Sequence, residues 1–436
     1  MAHRTSRRRF LKTTAATGIG FWVAGGLTAK ASRSANETIR FAGIGIGGKG
    51  TSDIADASRH GEVVAVCDVD TNTLNGVGQR YENAKRYTDF RRMLDEMEGQ
   101  IDAVTVSTAD HTHAAAAAMA MRRGMHCFCQ KPLTRTLYEG RLLGELAREK
   151  GLATQMGNQG TASAGLRRNA ALLRAGVVGD LKEIHIWTNR PIWPQGGERP
   201  APEDPPAHLD WDLWLGPAPY RPYAAGAYHP FAWRGWWDFG TGALGDMACH
   251  TMNMPFMGLD LNNPVSVQAE TSGHNRDSFP AWSVIEYEFA ATDTRPAVKV
   301  TWYDGGRRPS RDLLEGEEPE GSGSLVIGSR GSLYSPGDNG NRLELLGGAE
   351  AVEVEITRSP GHVEEWAEAI KGGPAAVSNF PDYAMALNEM VLLGNLAVWA
   401  EGEKVTWDSA TLAASGAPDL DVLINTPYRE GWSLDA

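Results

Sequence analysis

From Thr38 onward, short apolar runs alternate with stretches whose apolar residues recur every three or four positions. Ile39–Ile44 reads as a buried strand, Gly45–Gly50 as a glycine turn and Thr51–Ser58 as a short helix. Glu62–Cys67, with Val63, Val64 and Val66 β-branched, is a second strand. Ile101–Thr108, Met125–Cys129 and Leu152–Met156 continue the series, with helices over His111–Arg122 and Thr136–Lys150 between them. Strands that alternate with helices predict a parallel, doubly wound α/β sheet, a Rossmann-type domain over residues 36–157.

After Asn158 the texture changes. Leu166–Arg174 reads as a helix, Leu181–Trp187 as a strand, and Pro191–Pro230 as a long loop rich in Pro, Trp and Gly. Leu244–Met257 reads as one helix. Strands then follow over Val265–Glu270, Ser283–Glu288, Ala297–Trp302, Ser324–Ile327 and Leu343–Leu346, with few helices between them. That texture predicts an α+β domain with an open, mainly antiparallel sheet. It is set at residues 158–380, for substrate binding and oligomerisation. Residues 305–322, charged and rich in Gly and Pro, read as a mobile surface loop. Helices return at Val363–Lys371 and Tyr383–Trp399, and residues 381–436 are expected to pack back on the core.

Composition narrows the partner. The formal net charge of -12 disfavours nucleic acid and anionic membranes, which leaves a neutral or modestly charged small molecule. Of the four cysteines, Cys67, Cys127 and Cys129 sit in apolar runs and read as buried thiols. No His/Cys/Asp cluster has metal-ligand spacing, so no metal is expected. The N-terminus carries Arg7-Arg8-Arg9-Phe10-Leu11-Lys12, an apolar run from Thr13 to Ala29, and a small-x-small site at Ala29-Lys30-Ala31. This layout resembles a twin-arginine signal peptide over residues 1–35, hence a periplasmic protein with no stable membrane insertion once the signal is removed.

Gly45-Ile46-Gly47-Gly48-Lys49-Gly50 matches G-x-G-x-x-G between a strand and a helix. Gly45 permits the turn, Gly47 and Gly48 let backbone approach a pyrophosphate, and Gly50 lets the helix pack on the sheet. Asp68, at the end of the second strand, is placed to accept ribose hydroxyls and repel a 2′-phosphate. The expected cofactor is therefore NAD, although Lys49 and Arg59 offer a phosphate two possible partners.

Three further stretches bring in a resemblance. Ser107-Thr108-Ala109-Asp110-His111-Thr112-His113, Gln130-Lys131-Pro132-Leu133 and Gly245-Asp246-Met247-Ala248-Cys249-His250 follow in order along the chain. Together they resemble the glucose–fructose oxidoreductase, inositol dehydrogenase and rhizopine-catabolism (Gfo/Idh/MocA) family over about residues 38 to 400. The resemblance implies that Thr108 and His113 border the nicotinamide, although a helix-start histidine can also be purely structural. It implies that Gln130 and Lys131 close the strand-five edge of the cofactor site, and that Asp246 and His250 form the D-x-x-x-H helix. The family usually carries Glu where this chain has Gln130. Losing that carboxylate removes a charge partner from Lys131 and favours a lower lysine pKa.

Oxidising a secondary alcohol needs a hydride acceptor over the carbon and a base for the hydroxyl proton. His250 is the candidate base, since an ordinary imidazole titrates near neutrality. Asp246, four residues earlier, shares its helix face. Lys131, at a strand end, can hold the substrate oxygen and relay its proton. Residues 187–237 hold seven of the fourteen tryptophans. These aromatics either stack on sugar rings or form core and subunit contacts. Tyr228, His229, Trp233 and Arg234 are the candidate substrate residues among them. The leading reading is an NAD-dependent oxidoreductase acting on a carbohydrate CH–OH group, with tightly held cofactor. A glycoside-cleaving or epimerising enzyme working through a transient keto-sugar uses the same residues. A non-catalytic NAD-binding protein is a third reading, and the joint presence of Lys131, Asp246 and His250 weighs against it. The resemblance also implies a homo-oligomer through the open sheet.

Overall fold

The computed structural model describes residues 38–435; the expected export signal lies outside them. Strands β1 (Ile39–Ile44), β2 (Gly61–Cys67), β3 (Lys85–Tyr87), β4 (Ala103–Val106), β5 (His126–Cys129) and β6 (Thr154–Met156) form one sheet in the order β3-β2-β1-β4-β5-β6. Every pairing is parallel. This is the doubly wound Rossmann order, and it puts all strand carboxyl ends on one edge. The intervening helices are α1 (Lys49–Ala57), α2 (Thr71–Gly78), α3 (Phe90–Glu96), α4 (Asp110–Arg122) and α5 (Leu137–Lys150). Helix α5 begins at a reciprocal capping box between Thr136 and Glu139 and ends at Gly151 in the left-handed region.

A helix α6 (Ala164–Arg174) leads into β7 (Leu181–Trp187), and a five-residue helix α7 (Trp211–Leu215) interrupts the long loop. The helix expected over Leu244–Met257 is two, α8 (Gly242–Thr251) and α9 (Asn253–Leu259). Pro255 explains the break, because its ring would collide with the carbonyl four residues back in a continuous helix. The second sheet comprises β7, β8 (Ser266–Thr271), β9 (Ser283–Phe289), β10 (Val298–Tyr303), β11 (Gly323–Gly328), β12 (Gly331–Pro336), β13 (Glu344–Gly347), β14 (Val405–Asp408) and β15 (Ala413–Ser415). Its order is β13-β12-β11-β7-β10-β9-β8-β14-β15, antiparallel throughout except for the β7–β10 pair. The strands β12, β14 and β15 escape the sequence reading because each is short and bounded by Gly, Pro or charged residues.

Two returns of the chain tie the sheets together. Helix α10 (His362–Ile370) packs its buried Val363, Trp366 and Ala367 onto Phe41 and Phe128, which lie on one face of the Rossmann sheet. Trp366 lies 5.5 Å from Phe41 and 5.8 Å from Phe128 between ring centroids, and its indole donates to the Ala153 carbonyl at 3.1 Å. Helix α11 (Met385–Trp399) is apolar almost all round because it runs through the main core, beside α5, α8 and β8. A short helix α12 (Asp421–Ile424) follows β15. Residues 305–322, expected as a mobile loop, are instead pinned. Leu314 is buried against Trp187, Leu325 and Tyr334, and the Trp187 indole donates to the Glu320 carbonyl at 2.7 Å. All four cysteines are free and buried. No described helix is long and apolar enough to cross a membrane.

Trp366 is fully enclosed, so Trp366→Ala leaves a large cavity between the α10 helix and the Rossmann sheet. Its expected cost is about 3–5 kcal/mol, read from the urea midpoint at constant slope.

Candidate active site

The nucleotide end is built by the glycine loop. Gly45 has φ +75° and a Cβ there would sit 2.8 Å from the Ser107 carbonyl; a Cβ on Gly50 would meet the Gly45 oxygen at 1.9 Å. Both positions admit only glycine, so loop, helix and β4 close tightly. Helix α1 opens at Gly48 with no side-chain cap, and the Gly48 and Lys49 amides have no partner among the described residues. Uncapped amides at a helix N-terminus fit a pyrophosphate. Asp68 lies directly alongside: Oδ2 accepts from the Ile46 and Gly47 amides at 3.0 and 3.1 Å, and Oδ1 from the Asp70 amide at 3.0 Å. Burial pushes Asp68 up to about 6 despite those three hydrogen bonds. Lys49 is committed to Asp53, and Arg59 to Asp56 at 3.0 Å, so both cations offered to a phosphate are already engaged.

Gln130 turns out to serve the loop helix. Its amide donates to Asp53 Oδ2 at 2.9 Å, and Ser107 Oγ donates to the same oxygen at 2.8 Å. Asp53 is 1% exposed. A Glu at this position would face it carboxylate to carboxylate, so the departure from the family's Glu is matched to an acid on α1. Lys131 does not lack a charge partner, as the loss of Glu had suggested. Its ammonium donates to Asp246 Oδ1 at 3.0 Å and to the Asp246 carbonyl at 2.8 Å.

Asp246 is the hub of the chemical end. Besides Lys131 it accepts from Arg234 Nε at 3.0 Å, and Arg190 Nε lies 3.8 Å from Oδ2. Burial alone would raise this carboxyl, but the Lys131 and Arg234 charges hold it well below the usual carboxylate range. Arg234 is stacked over Trp233 at 4.2 Å and Phe231 at 4.6 Å from the ring centroids. Asp110, at the start of α4, accepts from Thr241 Oγ1 at 2.6 Å, and burial raises it to about 7. His250 departs from the near-neutral value expected of it. Burial, reinforced by the Lys131 charge, pushes it down to about 3, and its Nδ1 is buried without a partner among the described residues.

The structure thus brings together Lys131, Asp246, His250, Trp233 and Arg234, with Thr108 lying against Gly45 at the loop. The other candidates stand elsewhere. His113 is enclosed, its ring nitrogens facing the Pro132 and Thr108 carbonyls at 2.9 and 3.1 Å, so it braces the two strand ends. His229 pairs with Asp70 at 3.2 Å, at the β2 end of the Rossmann edge. Tyr228 is 1% exposed inside an aromatic cluster with Trp211, Trp236 and Phe239. For most of these aromatics the core reading holds. Sequence reading missed Arg190, Asp53 and Asp110. Arg190 follows the carboxyl end of β7, and its place just beyond a strand end was the only signal of its use.

Residues 39–158 match the NAD-binding Rossmann fold of an oxidoreductase family, and residues 185–434 match that family's C-terminal alpha/beta domain. The chain belongs to the Gfo/Idh/MocA oxidoreductase family. Among curated relatives, D-apiose dehydrogenase of Paraburkholderia graminis is 27% identical over 118 residues, 27% of this chain and 31% of that protein. Inositol 2-dehydrogenase 2 of Saccharopolyspora erythraea is 36% identical over 74 residues, 17% and 21% of the two chains. The matched stretch thus spans under a third of the length of these relatives. Solved structures extend the likeness to the whole fold. The WlbA dehydrogenase of Bordetella pertussis, in complex with NADH and UDP-GlcNAcA, superposes with TM-score 0.61 at 16% identity, covering 85% of this chain and 99% of that one. An inositol dehydrogenase homolog of Azotobacter vinelandii, complexed with NADH and myo-inositol, gives 0.58 at 17% identity, covering 86% and 99%. Residues 39–158 of this family member are therefore an NAD-binding Rossmann domain.

Gln130→Glu should lower stability by about 3 kcal/mol, the scale of an uncompensated buried charge, and lower NAD content. Adding Asp53→Asn should restore both, because the new amide donates to the introduced carboxylate. A double-mutant cycle of thermal midpoints and NAD content checks this. The loop also carries a pH dependence. Asp68 titrates higher in the fold, at about 6, than its ordinary 3.8, so the NAD-free protein loses stability as pH rises from about 4 to about 6. NAD affinity should run the other way, weakening as pH falls through about 6, where the ribose loses its carboxylate acceptor. In Asp68→Asn, titration calorimetry should find that dependence gone.

Proposed function

We propose that this protein is an NAD-dependent oxidoreductase that works on a hydroxyl-bearing carbon of a sugar or sugar derivative and keeps its cofactor through turnover. The observation that carries the reading is the Lys131–Asp246 pair, where the carboxyl end of β5 meets α8. Bound NAD supplies the hydride acceptor. Lys131, fixed by Asp246, donates to the substrate oxygen and stabilises negative charge developing there. His250 is neutral at working pH; its Nδ1 is enclosed, so its other ring nitrogen, Nε2, is the one that would accept the hydroxyl proton. As hydride leaves, that proton becomes strongly acidic, so even a weak base suffices late in the transfer. Arg234, held by stacking on Trp233, fixes the carboxylate from the other side. The sugar-acting relatives and neighbours support the substrate class.

Retention of the cofactor rests on the arginine-led N-terminal stretch, read as an export signal for a folded protein bound for the periplasm. No replenished NAD pool is expected there, so reoxidation on the enzyme is required. That requirement is met either by a second sugar or by internal return of the hydride after elimination or epimerisation.

The test is an exhaustively dialysed preparation assayed without added NAD against free sugars and glycosides, with NADH absorbance followed in the same cuvette. Retained nucleotide and turnover without net NADH are expected. Loss of nucleotide, with activity restored only by stoichiometric NAD, overturns retention. Lys131→Ala and His250→Ala should each cost on the order of a hundredfold in turnover. Full activity in His250→Ala removes it as the base.

A further inference from the structure

The charges around Asp246 do not balance. Lys131, Arg190 and Arg234 converge on this one carboxylate, and all three are largely shielded from water, their side chains 16%, 21% and 21% exposed. Asp110, which feels the Lys131 and Arg234 charges, takes its hydrogen bond from Thr241 and forms no ion pair with any of the three. His250 is neutral. Partly buried cations in excess are costly unless an anion joins them.

The guanidinium donors show where that anion fits. Arg234 spends Nε on Asp246 and Nη1 on the Phe231 carbonyl at 3.1 Å, and its Nη2 has no partner among the described residues. Its flat faces are taken up by Trp233 and Phe231, so a new ligand must approach edge-on, in the plane that matches a carboxylate. Arg190 spends Nη1 on Asn189, and its Nε stands off from Asp246 at 3.8 Å, too far for a hydrogen bond. Its Nη2 is likewise unpartnered among the described residues. Two guanidinium edges with spare donors thus stand at the same carboxylate that holds Lys131.

We infer that the substrate is a sugar acid, whose carboxylate is gripped by Arg190 and Arg234 while the carbon to be oxidised sits at Lys131. The inference rests on the carbohydrate oxidoreductase reading above and narrows its substrate to an anion. Nearby cations raise the affinity for a carboxylate and leave a neutral hydroxyl in its place weakly held, so discrimination arises from charge as well as shape.

The experiment uses NAD-loaded protein and matched pairs: glucuronate with glucose, galacturonate with galactose, and the methyl glycosides of each. Affinity is read by titration calorimetry and turnover by kcat/KM. At least one acid should bind about tenfold or more tightly than its neutral partner, the scale of hydrogen bonds to a charged group, and the margin should shrink with added salt. Arg190→Met should narrow that ratio about tenfold, chiefly through KM, and Arg190→Lys should recover part of it, since charge without the planar fork remains. Neutral sugars bound as well as their acids, or an Arg190→Met loss that falls equally on both, overturn the inference. Turnover of neutral sugars with rejection of the acids overturns it too, while the oxidoreductase reading stands. Failure of every sugar, acid and neutral, to bind or turn over overturns both.

Discussion

An ammonium and a carboxylate 3.0 Å apart, drawn from two differently built domains, set the demands on the rest of the chain. Such a pair is worth having only if both partners arrive rigidly, because each loses hydration on burial. Lys131 arrives rigidly because β5 is paired on both sides in a parallel sheet and the residues after it are braced by His113, whose ring nitrogens face the carbonyls of Pro132 and Thr108. Asp246 arrives rigidly because α8 is packed against α11, an apolar helix that runs through the shared core. The two domains meet at a fixed charge contact rather than across a loose cleft.

The same logic of compensated charge runs through the nucleotide end. A buried acid beneath an anion-binding loop should be unfavourable. Here Asp53 is neutralised by Lys49 and hydrogen-bonded by Gln130 and Ser107. The one departure from the family's motif therefore faces a buried acid that lies 77 positions away in sequence. Read singly, Gln130 looks like a loss; read with Asp53, it keeps one acid where two would repel.

How much of this was legible without coordinates follows from which interactions are local. The Rossmann strands, the glycine loop and Asp68 were legible because periodicity and turn chemistry are properties of short windows. Lys131 and Asp246 were legible through motif resemblance. Arg190 and Asp53 were not, since nothing local marks an arginine or aspartate as paired across the fold. The Trp-rich segment misled in part for the opposite reason. An aromatic that packs in a core and one that faces a sugar have the same composition; Tyr228 and Trp233 are both buried in one cluster, and what sets Trp233 apart is its stack with Arg234. His250 stands beside Lys131 and Asp246, but burial, invisible in sequence, lowers its titration below the near-neutral value read from composition.

The return of α10 to the Rossmann sheet has a consequence for biosynthesis. Ile54, Ala57 and Leu74 cover part of one face of that sheet early, but the patch around Phe41 and Phe128 is completed only when residues 362–370 have left the ribosome and Trp366 packs on it. The nucleotide domain is encoded first yet finished late. Nascent chains must keep an apolar patch on that sheet open through most of translation, which is a window for misassociation.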